Sequence, residues 1–127
     1  MRYLFRHAFH LVLFFVFFCM IVLSGARAHA MPSYEEARIN AMLTVLEKRS
    51  DVVFIRNGNE YTAVEAAAHL RLKLDKARNR VDTAEEFIDK AGSSSSFSGK
   101  PYLVREPGKE ALPANAFLHR LLKPVNK

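Results

Sequence analysis

Val52-Val53-Phe54-Ile55-Arg56-Asn57-Gly58-Asn59-Glu60-Tyr61-Thr62-Ala63-Val64-Glu65 is the stretch that decides the fold. Val52 to Ile55 are β-branched or aromatic and read as a strand. Asn57-Gly58 is the dipeptide a two-residue hairpin turn demands, because both central positions need positive φ. Tyr61-Thr62 then returns as a short partner strand. Thr62 also begins a new element. Its hydroxyl can take the amide proton of Glu65, and the Glu65 carboxylate can reach back to the Thr62 amide, a capping box. A helix therefore starts at once, expected over 63–80, with Ala63, Ala67, Leu70, Leu74, Ala77 and then Val81 along one apolar stripe.

The same logic extends in both directions. Upstream, Ser33 and Glu36 have the spacing of another capping box, and Ile39, Met42, Leu43 and Leu46 follow at i, i+3, i+4 and i+7. That predicts a helix over 34–49. Downstream, Thr83 and Glu86 make a third box before a short helix with Ala84, Phe87, Ile88 and Ala91 inward. Gly92 is expected to end it in a left-handed conformation. A serine-rich loop follows from Ser93, then a strand over 101–105. A last helix over 114–123 carries Phe117, Leu118, Leu121 and Leu122, and Pro124 stops it. The expected fold is α+β: four helices packed on a small, mainly antiparallel sheet of two or three strands.

The first thirty residues read differently. Arg2 and Arg6 precede an apolar run of 13 residues, Leu11 to Leu23, and Ala28-His29-Ala30 supplies an A-x-A site. Charged head, apolar middle and small-residue cleavage site are the parts of a secretory signal peptide. A membrane-spanning helix needs roughly 20 apolar residues, so a retained anchor is the weaker reading. The expectation is a signal peptide over 1–30, cleaved after Ala30 (Ala28 being the alternative), and a single domain over 31–127 in the periplasm. The membrane is then met only through the signal peptide before cleavage. Cys19 lies inside the apolar run with no small residue before it, which argues against a lipoprotein.

Removing 1–30 takes away three of the nineteen basic residues and no acids, so the net charge falls from +6 to +3. The remaining charge is mixed in sign and does not indicate a nucleic-acid binder. The domain has no cysteine and so no disulfide. Two histidines, His69 and His119, remain after Ala30. Without cysteine or an H-E-x-x-H pattern they suggest no metal site, and no cofactor is expected.

His69, Lys73, Lys76 and Arg80 fall on one side of the long helix, a basic stripe suited to phosphate, a sulfated glycan or an acidic protein surface. The bland account of it is a solvated flank whose lysine stems cover the core edge. Arg56 and Tyr61 flank the hairpin tip and are weaker binding candidates. Leu72 points away from the apolar stripe and is expected to pack against another element. The loop from Gly92 to Pro101 resembles a phosphate-binding loop but fails it: the glycine spacing is too long, Pro101 stands where a Ser or Thr should hold magnesium, and a helix precedes it. Its hydroxyls and amides can still make an anion nest, against the plainer reading of a polar linker. The function expected is non-catalytic binding in the cell envelope, to an envelope protein or an anionic envelope polymer. The alternatives are an envelope hydrolase using Ser95, Ser96 or Ser98 with His69, and a purely structural envelope protein. No G-x-S-x-G elbow supports the hydrolase.

Several strings resemble a known family. EEARINAML from Glu35, VFIRNG from Val53, HLRLKL from His69, RNRVDTAEEFIDK from Arg78, SSSS, SGKPY and FLHRLL together resemble the YfeK-like family of small exported enterobacterial proteins of unknown function. The resemblance covers nearly all of residues 31–127. It implies a periplasmic address in a Gram-negative bacterium and supplies no activity. Ala63 stands where the family pattern has a cysteine, so a thiol-based role is not open to this chain.

Overall fold

A computed structural model describes residues 29–126. The expected signal peptide, including Ala28, lies outside these residues except for its last two. The elements run α1 (Ser33–Glu47), β1 (Val53–Arg56), β2 (Asn59–Thr62), α2 (Ala63–Ala77), α3 (Ala84–Phe87) with a π turn over Ile88–Gly92, β3 (Leu103–Arg105), β4 (Leu112–Pro113), α4 (Ala114–Leu122), and a closing 3-10 turn over Lys123–Asn126. The fold is α+β, as the sequence predicts.

The hairpin forms as read. Val53 pairs with Thr62 and Arg56 with Asn59, and Asn57 and Gly58 both take positive φ, 50° and 81°. The sheet has four antiparallel strands in the order β2-β1-β3-β4, one more than the upper expectation. The additional strand is β4, two residues long and ending in Pro113. A proline cannot serve a central strand, and β4 sits at the sheet edge, where proline is tolerated. Nothing in so short a segment has a period to read.

The expected helix stripes are buried, except that Ala91 and Leu121 at their ends are only partly covered. Ile39, Met42, Leu43 and Leu46 of α1 are completely covered, as are Ala84, Phe87, Ile88 and Leu118. Covering a large apolar side chain contributes about 2 kcal/mol, so this shared core decides the packing. Phe117 of α4 meets Phe54 of β1 edge to face, with centroids 6.1 Å apart, fixing that helix on the sheet.

The ends depart from expectation where backbone bonds override side chains. Ser33 does not cap α1. The Pro32 carbonyl takes the amides of Glu35 and Glu36, at 3.0 and 3.1 Å, so Ser33 already lies inside the helix. At α2 the box is complete in both directions. At α3 Thr83 accepts from the Glu86 amide at 3.1 Å, but Glu86 turns instead to the Asp82 amide and Lys90. Gly92 is not a left-handed terminator. It is buried in the π turn, where an added Cβ would lie 3.5 Å from the Phe87 carbonyl oxygen. That is an ordinary van der Waals distance, so the turn does not depend on a glycine for space. Likewise α2 stops at Ala77 and not at Arg80, though Arg80 folds back to donate to the Lys76 carbonyl at 2.9 Å.

Candidate functional site

Three segments meet along the exposed side of α2: the hairpin tip, the helix itself and the serine loop. Between them lies an open cleft of about 540 Å³. Arg56 and Asn57 come from the hairpin. His69, Lys73 and Lys76 come from α2, with Arg80 just beyond its end. Ser95, Ser96 and Phe97 form the opposite rim, and Tyr102 closes the floor. The fold thus gathers every basic residue of the predicted stripe together with Arg56. Tyr61 belongs to a second, adjoining cavity of about 310 Å³.

The loop is lashed in place. Ser95 donates its amide to the Lys100 carbonyl at 2.9 Å, and Tyr102 donates to the Ser93 carbonyl at 2.8 Å. The Ser98 hydroxyl donates to Asn57 Oδ1 at 2.7 Å, tying loop to hairpin tip. Ser95 is buried, so the segment is more than a polar linker. Lys73 is the main tie. Its ammonium donates to the Ala91 carbonyl at 2.6 Å and to the Ser94 carbonyl, and it lies 4.9 Å above the Tyr102 ring. Burial and the nearby Arg56 push the Lys73 pKa down. Of the stripe residues, Lys73 therefore builds the cleft, while Lys76 and Arg80 stand exposed at its mouth.

Arg56, His69 and Tyr102 form the partition between the two cavities. Arg56 Nη1 lies 3.2 Å from Nδ1 and 3.1 Å from Nε2 of His69, and His69 Nε2 is 3.2 Å from the Tyr102 hydroxyl. The Arg56 guanidinium also stacks over Tyr61 at 5.3 Å. Burial lowers the His69 pKa, and Arg56, Lys73 and Lys76 lower it further, so the imidazole is neutral and accepts from Arg56. Burial likewise raises the Tyr102 phenol above its ordinary value.

Among the described residues no carboxylate lines the cleft. Arg38, Arg49, Arg71, Arg78, Arg105 and Arg120 each meet a carboxylate elsewhere in the fold. Among the described residues Arg56 and Arg80 are the two arginines that make no ion pair, and both face the cleft.

Leu72 does not pack inward; it is 62% exposed at the cleft rim, and Phe97 opposite is 99% exposed. Among the described residues the serine loop faces that side of α2 across the open cleft and leaves Leu72 uncovered. His69 hydrogen-bonds Arg56 and Tyr102 and none of the loop serines, so no Ser–His pair is assembled. The Ser95 hydroxyl instead accepts from the Ser98 amide at 3.3 Å. His119 pairs with Asp89 at 2.8 Å on another face, away from His69. Among the described residues no group of three or more His, Cys, Asp or Glu side chains is placed to hold a metal ion. Tyr102, Asn57 and Phe97 were not legible as site residues. Tyr102 reads as a strand residue, and only the chain reversal after Gly99 brings it beside His69.

No solved structure matches this chain. It is similar to the "Uncharacterized protein YfeK" of Salmonella typhimurium (strain LT2), with 60% identity over 70 residues. That match spans 55% of this chain and 58% of the relative, under two thirds of the relative's length. The profile described as "Family of unknown function (DUF5329)" matches residues 33–126, which take in every element of the fold and the whole cleft, and the chain belongs to that family.

Proposed function

We propose that this protein is an exported, periplasmic binding domain of the cell envelope that holds an anionic group of an envelope protein or polymer in the basic cleft. The observation that carries the reading is the convergence of Arg56, Lys73, Lys76 and Arg80 on one concave surface without an ion-pairing carboxylate. The charge is costly to gather. Burial first, and the cations beside it next, lower the His69 pKa, and burial followed by Arg56 lowers that of Lys73. A bound anion offsets the like charges gathered on this surface. Export is supported by the charged head, apolar run and A-x-A site of residues 1–30. Ala30 is exposed while the next residue, Met31, is buried and donates to the Arg78 carbonyl at 3.0 Å, so a cut after Ala30 would spare the core.

Two measurements test this. Binding of long-chain polyphosphate to the purified protein should weaken at least tenfold in Lys76→Glu/Arg80→Glu, and wild-type binding should weaken with added salt. Affinity that survives charge reversal removes the cleft from consideration. Native protein released from the envelope should begin at Met31 by intact mass, and a full-length mass in the cytosol would overturn the export reading.

A further inference from the structure

Resting on the anion-binding reading above, we infer that the ligand is amphiphilic: a monoester-like anion in the basic cleft with an apolar chain in the adjoining cavity. The two cavities share Arg56, His69 and Tyr102, so one molecule can occupy both by crossing that partition. Their characters are opposite. Beyond the partition, Phe54, Tyr61, Ala66 and Leu70 supply an apolar wall at the seam between the hairpin and α2. Its one carboxylate, Glu65, is engaged by the Thr62 amide at 2.8 Å and hydroxyl at 2.9 Å in the capping box. At about 310 Å³ the cavity is large enough for a small ligand's apolar part, at the lower end of ordinary binding sites. Arg56 sits at the border with its face on Tyr61 and its charge uncompensated, where the head and the chain of such a ligand would join. On the other side Leu72 and Phe97, both exposed, rim the cationic mouth. A purely ionic ligand leaves all of that apolar surface unused. A neutral one leaves the cations unused.

The experiment is a homologous series of methyl, butyl and octyl phosphate titrated into protein purified after expression of the full chain. Affinity should climb with chain length, by up to about fourfold per methylene that is fully buried. Ala68 lines the apolar cavity from the exposed face of α2, so Ala68→Leu fills that space without touching the core. This variant should flatten the climb while leaving methyl phosphate unchanged; the larger plug Ala68→Phe should flatten it further. Lys76→Glu/Arg80→Glu should weaken the whole series at least tenfold. A series that is flat in the wild type, with methyl phosphate still bound, overturns the amphiphile and leaves the anion site standing. Octyl glucoside binding as tightly as octyl phosphate, or no phosphate binding at all, overturns both. Sedimentation with phosphatidic acid vesicles, whose headgroup is a phosphate monoester, competed by octyl phosphate, assigns the source to a bilayer lipid. Binding of the monomeric ester without sedimentation assigns it to a free amphiphile; either result supports the shared chemistry.

Discussion

The two sides of this small domain use the same residue types to opposite ends. On the side where α1 meets α3, Arg38 is buried and donates to Glu35 at 2.6 Å and to both oxygens of Glu85. Glu35 in turn accepts from the Ala84 amide at 2.8 Å, so one guanidinium and two carboxylates weld two helices. Arg49 does similar work between Asp51 and Glu106, and Arg120 adds a second cation to Glu106. On the cleft side Arg56, Lys76 and Arg80 make no ion pair among the described residues. The contrast separates charge that is neutralised within the fold from charge that no carboxylate among the described residues pairs with.

The hardest way to break that division is at Arg38. Arg38→Met removes the cation and leaves Glu35, itself largely covered, without its compensating charge. Breaking one partner of a buried pair costs about 3 kcal/mol, and more than repacking returns. The urea midpoint should fall accordingly with the slope unchanged. Arg80→Met, on the cleft, should stay within about 0.5 kcal/mol of wild type. Equal losses in the two variants would erase the distinction.

A smaller effect is expected at the hairpin that carries Arg56 over the cleft. Gly58 has φ of 81° with open space around its Cα, so an added methyl meets only backbone strain. Gly58→Ala should cost about 1 kcal/mol in thermal unfolding. Because the hairpin tip is also bound to the loop through Asn57 and Ser98, anion affinity should drop along with stability. A loss of stability with unchanged affinity would mean that Arg56 is held by α2 and not by the hairpin.

How legible this was in the sequence follows the range of the interactions. The hairpin, the Thr62–Glu65 box and all four helix stripes rest on contacts within a few residues, and the pattern displays them directly. The basic stripe was visible for the same reason, since one helix sets its spacing. What the stripe faces was not visible. Asn57 and Ser98 lie 41 positions apart, and nothing local announces their bond. Lys73 shows the limit well. By spacing it is one more surface lysine, yet its ammonium is spent on the Ala91 carbonyl of the π turn and the Ser94 carbonyl of the loop. Ser33 and Gly92 failed in the reverse sense: the local motif was present, but the Pro32 carbonyl had already taken the amides Ser33 would cap, and Gly92 was drawn into the π turn.

The gentlest way to sharpen the comparison is acid, because the two sides answer to it in separate windows. His69 is faced by Arg56 from β1, by Lys73 and Lys76 from α2, and by Tyr102 from the segment before β3, with no carboxylate among them. Burial first, and these cations next, hold its pKa below the ordinary 6.5. The unfolded chain therefore binds a proton more readily than the folded one as pH falls past that value. Stability from a neutral His69 is complete above it and is lost as the pH drops toward the folded pKa. Glu85 works in another range. Arg38 holds its carboxyl below the ordinary 4.5, so its contribution persists until the pH falls under that value. A mild loss of stability as the pH falls below the ordinary 6.5 of histidine should thus belong to the cleft, and His69→Gln should reduce it while leaving the later, carboxylate-driven loss intact. A bound anion inverts the cleft's part. It favours the imidazolium, so binding takes up a proton and affinity for methyl phosphate should strengthen as the pH falls through the same window, once the ester's own charge is held constant by using the dimethyl diester in parallel. Affinity that is flat with pH in the wild type, or equally steep in His69→Gln, would place the anion away from the partition and toward Lys76 and Arg80 alone.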